Sequence, residues 1–302
     1  MTSPRLILIT GAAGFVGRHL VDALRDDDRS LRCLIRSHED LDAGPGVEVV
    51  TGDLADRESL TALLDGVDCA YYLVHSMEAA GDDDFAARDR ELAGNMAAAA
   101  RAGGVRRLVY LGGIDPDGGD SEHLDSRHEV EEILGGFGGE LVALRAAMIV
   151  GRGSASFDTL AQIVDRLPVL ALPAWRDRLC QPVAIDDVVA ALAASAGPGI
   201  APGRYDVGGP DRLTFEAMVE QIAELQGGNA HTFHLPFSSS RLEGAAAALV
   251  TGRDRELLTP LMAGLDADLV VEDNALPGVF GIAPTPFVTA ARAALDGAAV
   301  PQ

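Results

Sequence analysis

The chain has 302 residues, 48% of them hydrophobic, with 46 acidic against 24 basic side chains and a formal charge of -22; that is enough apolar material for one large core or two modest ones, and it excludes a disordered tail protein. Lysine is absent, so the basic count is arginine throughout, and the acids are spread along the chain. Such a surface repels phosphate, which sets aside nucleic acid as a partner and disfavours anionic lipid.

Two causes produce a lysine-free acidic surface, adaptation to a salty cytosol and the arginine-biased codons of a GC-rich genome. Cys33, Cys69 and Cys180 sit in or beside apolar stretches, and an odd number without paired spacing points away from disulfides and from a zinc site. No metal is therefore expected, and the compartment is a reducing one. No signal-peptide pattern opens the chain, and apolar runs such as 188–194 fall far short of the roughly 20 residues that a membrane span needs. The expectation is a soluble cytoplasmic protein with no membrane partner, whose assembly admits a homodimer.

In chain order, β-like runs at 6–9, 32–35, 47–50, 69–74, 107–111 and 141–144 alternate with helical patterns. Strands this apolar, separated by helices, mean a parallel sheet covered on both faces. Val16, Leu20 and Leu24 fall at helical spacing, and Asp56 is placed to cap a helix carrying Leu60, Leu63 and Leu64. The fold class that follows is α/β: a Rossmann doubly wound parallel sheet over 1–150, then a smaller, mainly helical C-terminal substrate lobe over 151–302, interleaved with the sheet around 180–210. In that second half 157–167 and 185–194 read as helices, 197–211 is rich in Gly and Pro, and the tail from Arg212 reads as two or three helices. No period of 20 to 50 residues recurs.

Directly after the first strand comes Thr10-Gly11-Ala12-Ala13-Gly14-Phe15-Val16-Gly17, leading into the first amphipathic helix. Glycines at Gly-x-x-Gly-x-x-Gly spacing permit a tight turn and close approach to a pyrophosphate, while the helix N-terminus supplies N–H donors and positive dipole. The end of the second strand selects the dinucleotide. An NAD site has an acid there, roughly 20 residues past the loop; this chain has Arg36, followed by Ser37 and His38. Arg36, joined by Arg18, suits a 2′-phosphate, so NADP(H) is expected ahead of NAD(H). After the third strand, Asp53 and Leu54 lie at the sheet's carboxyl edge, where Asp53 either accepts from the adenine amino group or caps the next turn. Val74 and His75 end the fourth strand at the same edge, and His75 either lines the cofactor crevice or bonds a loop. Met148, Phe157, Trp175 and Phe233 are candidate pocket walls.

With these residues the chain resembles the short-chain dehydrogenase/reductase superfamily, in its extended and atypical branch, which includes NmrA-like NAD(P)-binding proteins. The resemblance spans nearly the whole chain, through 10–17, 52–54, 107–113, 144–151, 183–188 and 204–210. It implies that 145–150, with Met148, pass by the nicotinamide and that 185–188 join the substrate lobe. Active oxidoreductases of this superfamily carry a Tyr-x-x-x-Lys pair, commonly as Tyr-x-x-Ser-Lys, and a serine or threonine ending the fifth strand. Here the matching stretch is His123-Leu124-Asp125-Ser126-Arg127, with glycine (Gly112 or Gly113) where the hydroxyl belongs. Arg127 can hold a ribose but stays protonated, and His123, with an ordinary pKa of about 6.5, suits a general acid or a ligand contact. Asn95 is an orienting amide or a solvent-facing one. Two functions follow: an NADP(H)-dependent oxidoreductase acting by hydride transfer on a small organic substrate, or a non-catalytic NADP(H)-binding redox sensor of the NmrA-like type; epimerase or dehydratase chemistry, in which the cofactor is reduced and reoxidised in one cycle, ranks last because it too usually needs the tyrosine.

Overall fold

The computed structural model describes residues 6–25, 29–36, 41, 44–75, 85–114, 122–167, 169–229, 231–235, 239–252 and 266–298; at 85, 122–125, 240–242, 244 and 298 it describes the backbone alone. The six apolar runs become β1 (Leu6–Thr10), β2 (Ser30–Ile35), β3 (Val47–Thr51), β4 (Val67–Tyr72), β5 (Arg107–Gly113) and β6 (Glu140–Ala146). Shorter strands follow as β7 (Ile149–Val150), β8 (Leu170–Leu172), β9 (Leu179–Cys180), β10 (Val183–Ala184), β11 (Gly203–Val207), β12 (Leu213–Thr214) and β13 (Thr232–His234). Seven of these form one sheet in the order β3-β2-β1-β4-β5-β6-β11, with every neighbouring pair parallel. Strand order reverses between β1 and β4, which opens a crevice at the carboxyl ends of these strands.

Helices cover both faces, so the inner strands are apolar without alternation. On one side α1 (Phe15–Leu24) and α6 (Ile185–Ser195) pack against Ile7, Ile9, Tyr71 and Val109, and the Tyr71 hydroxyl donates to the Leu192 carbonyl at 2.9 Å. On the other, α2 (Arg57–Leu63), α3 (Phe85–Ala102) and α4 (Glu122–Gly135) enclose Leu8, Tyr72, Met96, Tyr110 and Leu134. Asp56 caps α2, its carboxylate accepting from the Ser59 N–H at 3.1 Å, as its position in the sequence predicts. An ion cluster centred on the buried Glu131 ties α4 to the sheet: Glu131 takes both Nε and Nη2 of the buried Arg145 at 2.8 and 3.0 Å, and the exposed Arg204 of β11 closes on the same carboxylate.

The seventh strand comes from the stretch that reads simply as Gly- and Pro-rich. β11 sits at the sheet's edge and fully buries Val207 alone, so its apolar signal is weak, yet it pairs along its length with β6. The second lobe is built on a separate cluster of Phe157, Trp175, Phe215, Met218 and Phe287, drawn from α5 (Ala155–Arg166), the turn at Ala174–Asp177, α7 (Phe215–Leu225) and the helix Phe287–Ala298. Beyond Arg212 the described residues hold four helices where periodicity suggests two or three: α7, α8 (Ser240–Thr251), Phe287–Ala298, and a single turn at Ala275–Gly278 that is too short to show a period and is capped by Asn274.

Candidate cofactor and substrate site

The glycine loop runs from the end of β1 into α1 across the strand-order reversal. Gly11 has φ +69°, and a Cβ there would stand 2.6 Å from the Leu73 carbonyl oxygen. Gly17 lies against the loop so tightly that a Cβ would come 2.1 Å from the Gly11 oxygen. Gly14 donates its N–H to that oxygen at 3.0 Å and begins α1 with extended backbone and no side-chain cap. The first turn of α1 also has no acidic residue. Its N–H groups and dipole thus remain available to an anion, which is the cradle that a dinucleotide pyrophosphate fits.

The neighbouring residues brace this loop. The buried Thr10 hydroxyl donates to the Tyr71 carbonyl at 3.0 Å, tying β1 to β4. Arg18 donates from Nε to the Ala13 carbonyl at 2.7 Å. Phe15 meets His19 edge-on with centroids 5.3 Å apart and reaches towards Gly151, while Val16 packs on the sheet core. Val74 presses on Gly11 from β4's end.

At the strand ends, Arg36 is exposed immediately after β2, and Ser37 and His38 lie outside the described residues. Asp53 is exposed and its Oδ1 takes the Ala55 N–H at 2.9 Å, so one carboxylate oxygen holds its own turn. Leu54 is buried beneath it. Asn95 is an orienting amide: its Nδ2 donates to the Leu54 carbonyl at 3.1 Å and to that of Ala55 at 3.4 Å, fastening the Asp53 turn to α3. His75 donates from Nε2 to the Leu111 carbonyl at 3.1 Å and lies 6.0 Å from the Tyr110 ring, so one ring nitrogen ties β4's end to β5.

His123 falls in the first turn of α4, and its side chain lies outside the described residues. Arg127, one turn further, is half-buried on the wall of a cavity of about 450 Å³, and its Nε is buried without a hydrogen-bond partner. Burial lowers the Arg127 pKa, opposed by Tyr110 and by the carboxylate of Asp89. The Tyr110 hydroxyl donates to the Arg127 carbonyl at 3.1 Å, so it braces α4; burial raises its pKa far above a phenol's usual range. Gly113 lines the cavity, and a Cβ at Gly112 would strike the Tyr110 ring at 2.8 Å.

From this end, at the carboxyl tips of β5 and β6, the cavity runs into the second lobe between α5, β8, α7 and α8. Met148, Trp175 and Phe233 line it, as their sequence positions suggest. Phe157 does not: at 1% exposure it belongs to the lobe's core, on the buried face of α5. Sequence reasoning missed the opposite stripe of α5, Ser156, Thr159, Leu160 and Ile163, whose helical spacing is the signal that could have revealed it. It also missed Glu243, which accepts from the Trp175 indole N–H and from the Ser239 N–H, both at 2.8 Å. The three cysteines are free and buried; Cys180 borders the cavity, and burial pushes its thiol up to about 12. Among the described residues no cluster of His, Cys, Asp and Glu is placed to hold a metal, and no helix is long and apolar enough to cross a membrane.

Residues 11–138 match the NAD(P)H-binding family. The chain is 30% identical over 231 residues to a (4-alkanoyl-5-oxo-2,5-dihydrofuran-3-yl)methyl phosphate reductase of Streptomyces griseus, covering 74% of each protein. It is 30% identical over 195 residues to a ceramide reductase of Caulobacter vibrioides, covering 63% of this chain and 60% of that relative's length. Its fold superposes on the NADPH-dependent quinone oxidoreductase of Escherichia coli in complex with NADPH with a TM-score of 0.75, at 22% identity, over 94% of this chain and 98% of the other. With the glycine cradle, the seven-stranded parallel sheet and these relatives together, the chain belongs to the NAD(P)-binding short-chain dehydrogenase/reductase superfamily, in its extended, epimerase- and reductase-like group.

Proposed function

We propose that the protein is an NADP(H)-dependent oxidoreductase acting by hydride transfer on a small organic substrate, with His123 and Arg127 at the positions where the family has tyrosine and lysine. The observation that carries this reading is the cavity that begins at Gly113, Arg127 and Met148, at the carboxyl tips of β5 and β6, and extends into the second lobe. A module that only bound the cofactor would have less need of such a space. The names of the reductase relatives support the same class of chemistry.

The N–H groups at the start of α1 hold the pyrophosphate, Gly11 and Gly17 allow its approach, and Arg36 with Arg18 takes the 2′-phosphate. The bound nicotinamide supplies hydride chemistry. Arg127 holds the ribose and offers its charge to substrate oxygen, where low dielectric strengthens it. His123 moves the accompanying proton at an imidazole nitrogen. The apolar walls exclude water.

Glycine at 112 and 113, with the Tyr110 hydroxyl committed to the Arg127 carbonyl, favours the second reading, a redox sensor that holds NADP(H) without turnover. Three measurements separate the two. NADPH should bind more tightly than NADH, and Arg36→Ala should weaken NADPH by about 1.5–3 kcal/mol while sparing NADH; equal parent affinities overturn the NADP(H) assignment. NADPH oxidation against ketones, enones and quinones should occur, and its absence across the panel favours the sensor. His123→Ala should slow turnover roughly 100- to 10,000-fold with NADPH affinity retained, whereas Arg127→Ala should weaken the cofactor itself. Full activity in His123→Ala removes the histidine from the chemistry.

A further inference from the structure

The second-lobe cavity has a composition that restricts its ligand. Among the described residues that line it, Arg127, Ser156, Thr159 and Glu243 carry a hydroxyl or a charge, and Arg127 is the one cation. Apart from the Cys180 thiol and the Met148 thioether, the remaining side chains of the wall are aliphatic or aromatic, from Leu160 and Ile163 on α5 through Leu172 and Trp175 to Val219 and Val250. Glu243 has both carboxylate oxygens engaged by the protein, through the Trp175 indole and the Ser239 N–H. Two other wall groups are buried without a hydrogen-bond partner, Arg127 Nε and Thr159 Oγ1, and Thr159 is 2% exposed. The walls that meet solvent are apolar too, since Val169 and Phe233 border the cavity at 51% and 49% exposure.

A sugar or a diphosphate presents many polar atoms, and these walls would strand most of them at a cost for each. A long apolar body loses nothing there and gains with every methylene buried. A volume of about 450 Å³ lies in the range of pockets that enclose a ligand of drug size.

We infer that this cavity takes an elongated lipophilic molecule with a single carbonyl-bearing end, that end at Arg127 and its hydrocarbon body between α5, α7 and α8. The inference rests on the oxidoreductase reading in assigning the carbonyl to Arg127; the apolar body follows from the walls alone.

The chain's single tryptophan, Trp175, stands in the wall and reports occupancy by its emission. The full chain is titrated with 2-heptanone, 2-nonanone and 2-undecanone, with and without NADPH. Affinity should rise about fourfold per methylene, and Arg127→Met should weaken every ketone about tenfold without changing that increment. Ala247→Phe, which fills the body of the cavity, should abolish the increment. Because Ala247 is buried, Ala246→Phe on the exposed side of the same wall provides the second variant, with the same expected loss. Affinity independent of chain length, an increment that survives both filling variants, or ketone binding untouched by Arg127→Met overturns the inference. NADPH binding and oxidation are followed separately by nicotinamide emission and absorbance. Ketones that bind in the expected series without NADPH oxidation refute the oxidoreductase and leave the ligand class standing. NADPH-driven turnover of polar carbonyls by a protein indifferent to the alkanones does the reverse.

Discussion

Replacing Gly17 by alanine tests whether the glycine loop is built as a cradle or is merely a turn. The added Cβ would stand 2.1 Å from the Gly11 oxygen and 2.8 Å from the Ala12 Cα, both backbone atoms that cannot rotate away. Even a minimal contact of 3.0 Å requires the loop and α1 to part by about 0.9 Å. Neither side yields freely, because α1 buries Leu20, Val21 and Leu24 at 1% exposure or less and Gly11 is held against the Leu73 carbonyl. Overpacking of this kind costs about 1–3 kcal/mol, a melting-temperature loss of roughly 2–10 °C in a chain of this size. The same displacement misaims the α1 N–H groups, and losing one charge-assisted contact weakens NADPH roughly 10- to 100-fold. Calorimetry and energy transfer from Trp175 to bound nicotinamide measure the two effects. Gly14→Ala is the control for stability: its Cβ would meet just the Gly11 oxygen, at 3.2 Å, in a backbone conformation open to alanine, so its melting temperature should stay within about 2 °C of the parent. A Gly17→Ala protein with parental melting temperature and NADPH affinity would refute the cradle.

Glu131→Leu strands the buried Arg145 guanidinium and should cost about 3–5 kcal/mol, most of it recovered in Glu131→Leu/Arg145→Met; denaturant midpoints that are equal in the single and double variants would show that the pair is not coupled. The Arg107 guanidinium, with Arg106 beside it, holds the Glu140 carboxyl below its ordinary 4.5. Folding therefore favours the charged form, so this contribution is complete above about pH 4.5 and is lost as pH falls through the folded value. Glu140→Gln should flatten the stability–pH curve below about pH 4.5 and leave its slope above pH 6 alone; an unchanged acid limb speaks against the assignment. With a charge of -22, the melting temperature should climb between low and molar KCl as self-repulsion is screened, and a flat or falling trend favours codon bias as the origin of the acidity.

Patterns carried by neighbouring residues are legible in the amino-acid sequence alone. The apolar runs at 6–9, 32–35 and 69–74 needed no partner to be read as strands, because a strand covered on both faces shows its burial in its own composition. Asp56 announced its cap three residues ahead of the Ser59 N–H that donates to it, and the glycine spacing of 11, 14 and 17 announced the cradle, since each constraint acts within one or two turns of backbone. Tertiary structure decided what depends on residues far apart in the chain. The seventh strand, within the 180–210 stretch expected to interleave with the sheet, carries no apolar run of its own, because an edge strand with little burial has little apolar signal, and pairing with β6 supplies what its composition lacks. Phe157 and Trp175 both belong to the second lobe's core cluster, yet Trp175, on the turn Ala174–Asp177, also meets the cavity while Phe157, on the buried face of α5, does not, a difference that depends on how that turn and α5 pack together. Asn95, Glu243 and Tyr110 each gained a role from a carbonyl, an indole or a backbone N–H brought beside them. The cavity itself joins Gly113 to Leu269. No local period encodes such a surface, because it exists only after the loops between those segments have closed and the packed helices have left the space between them.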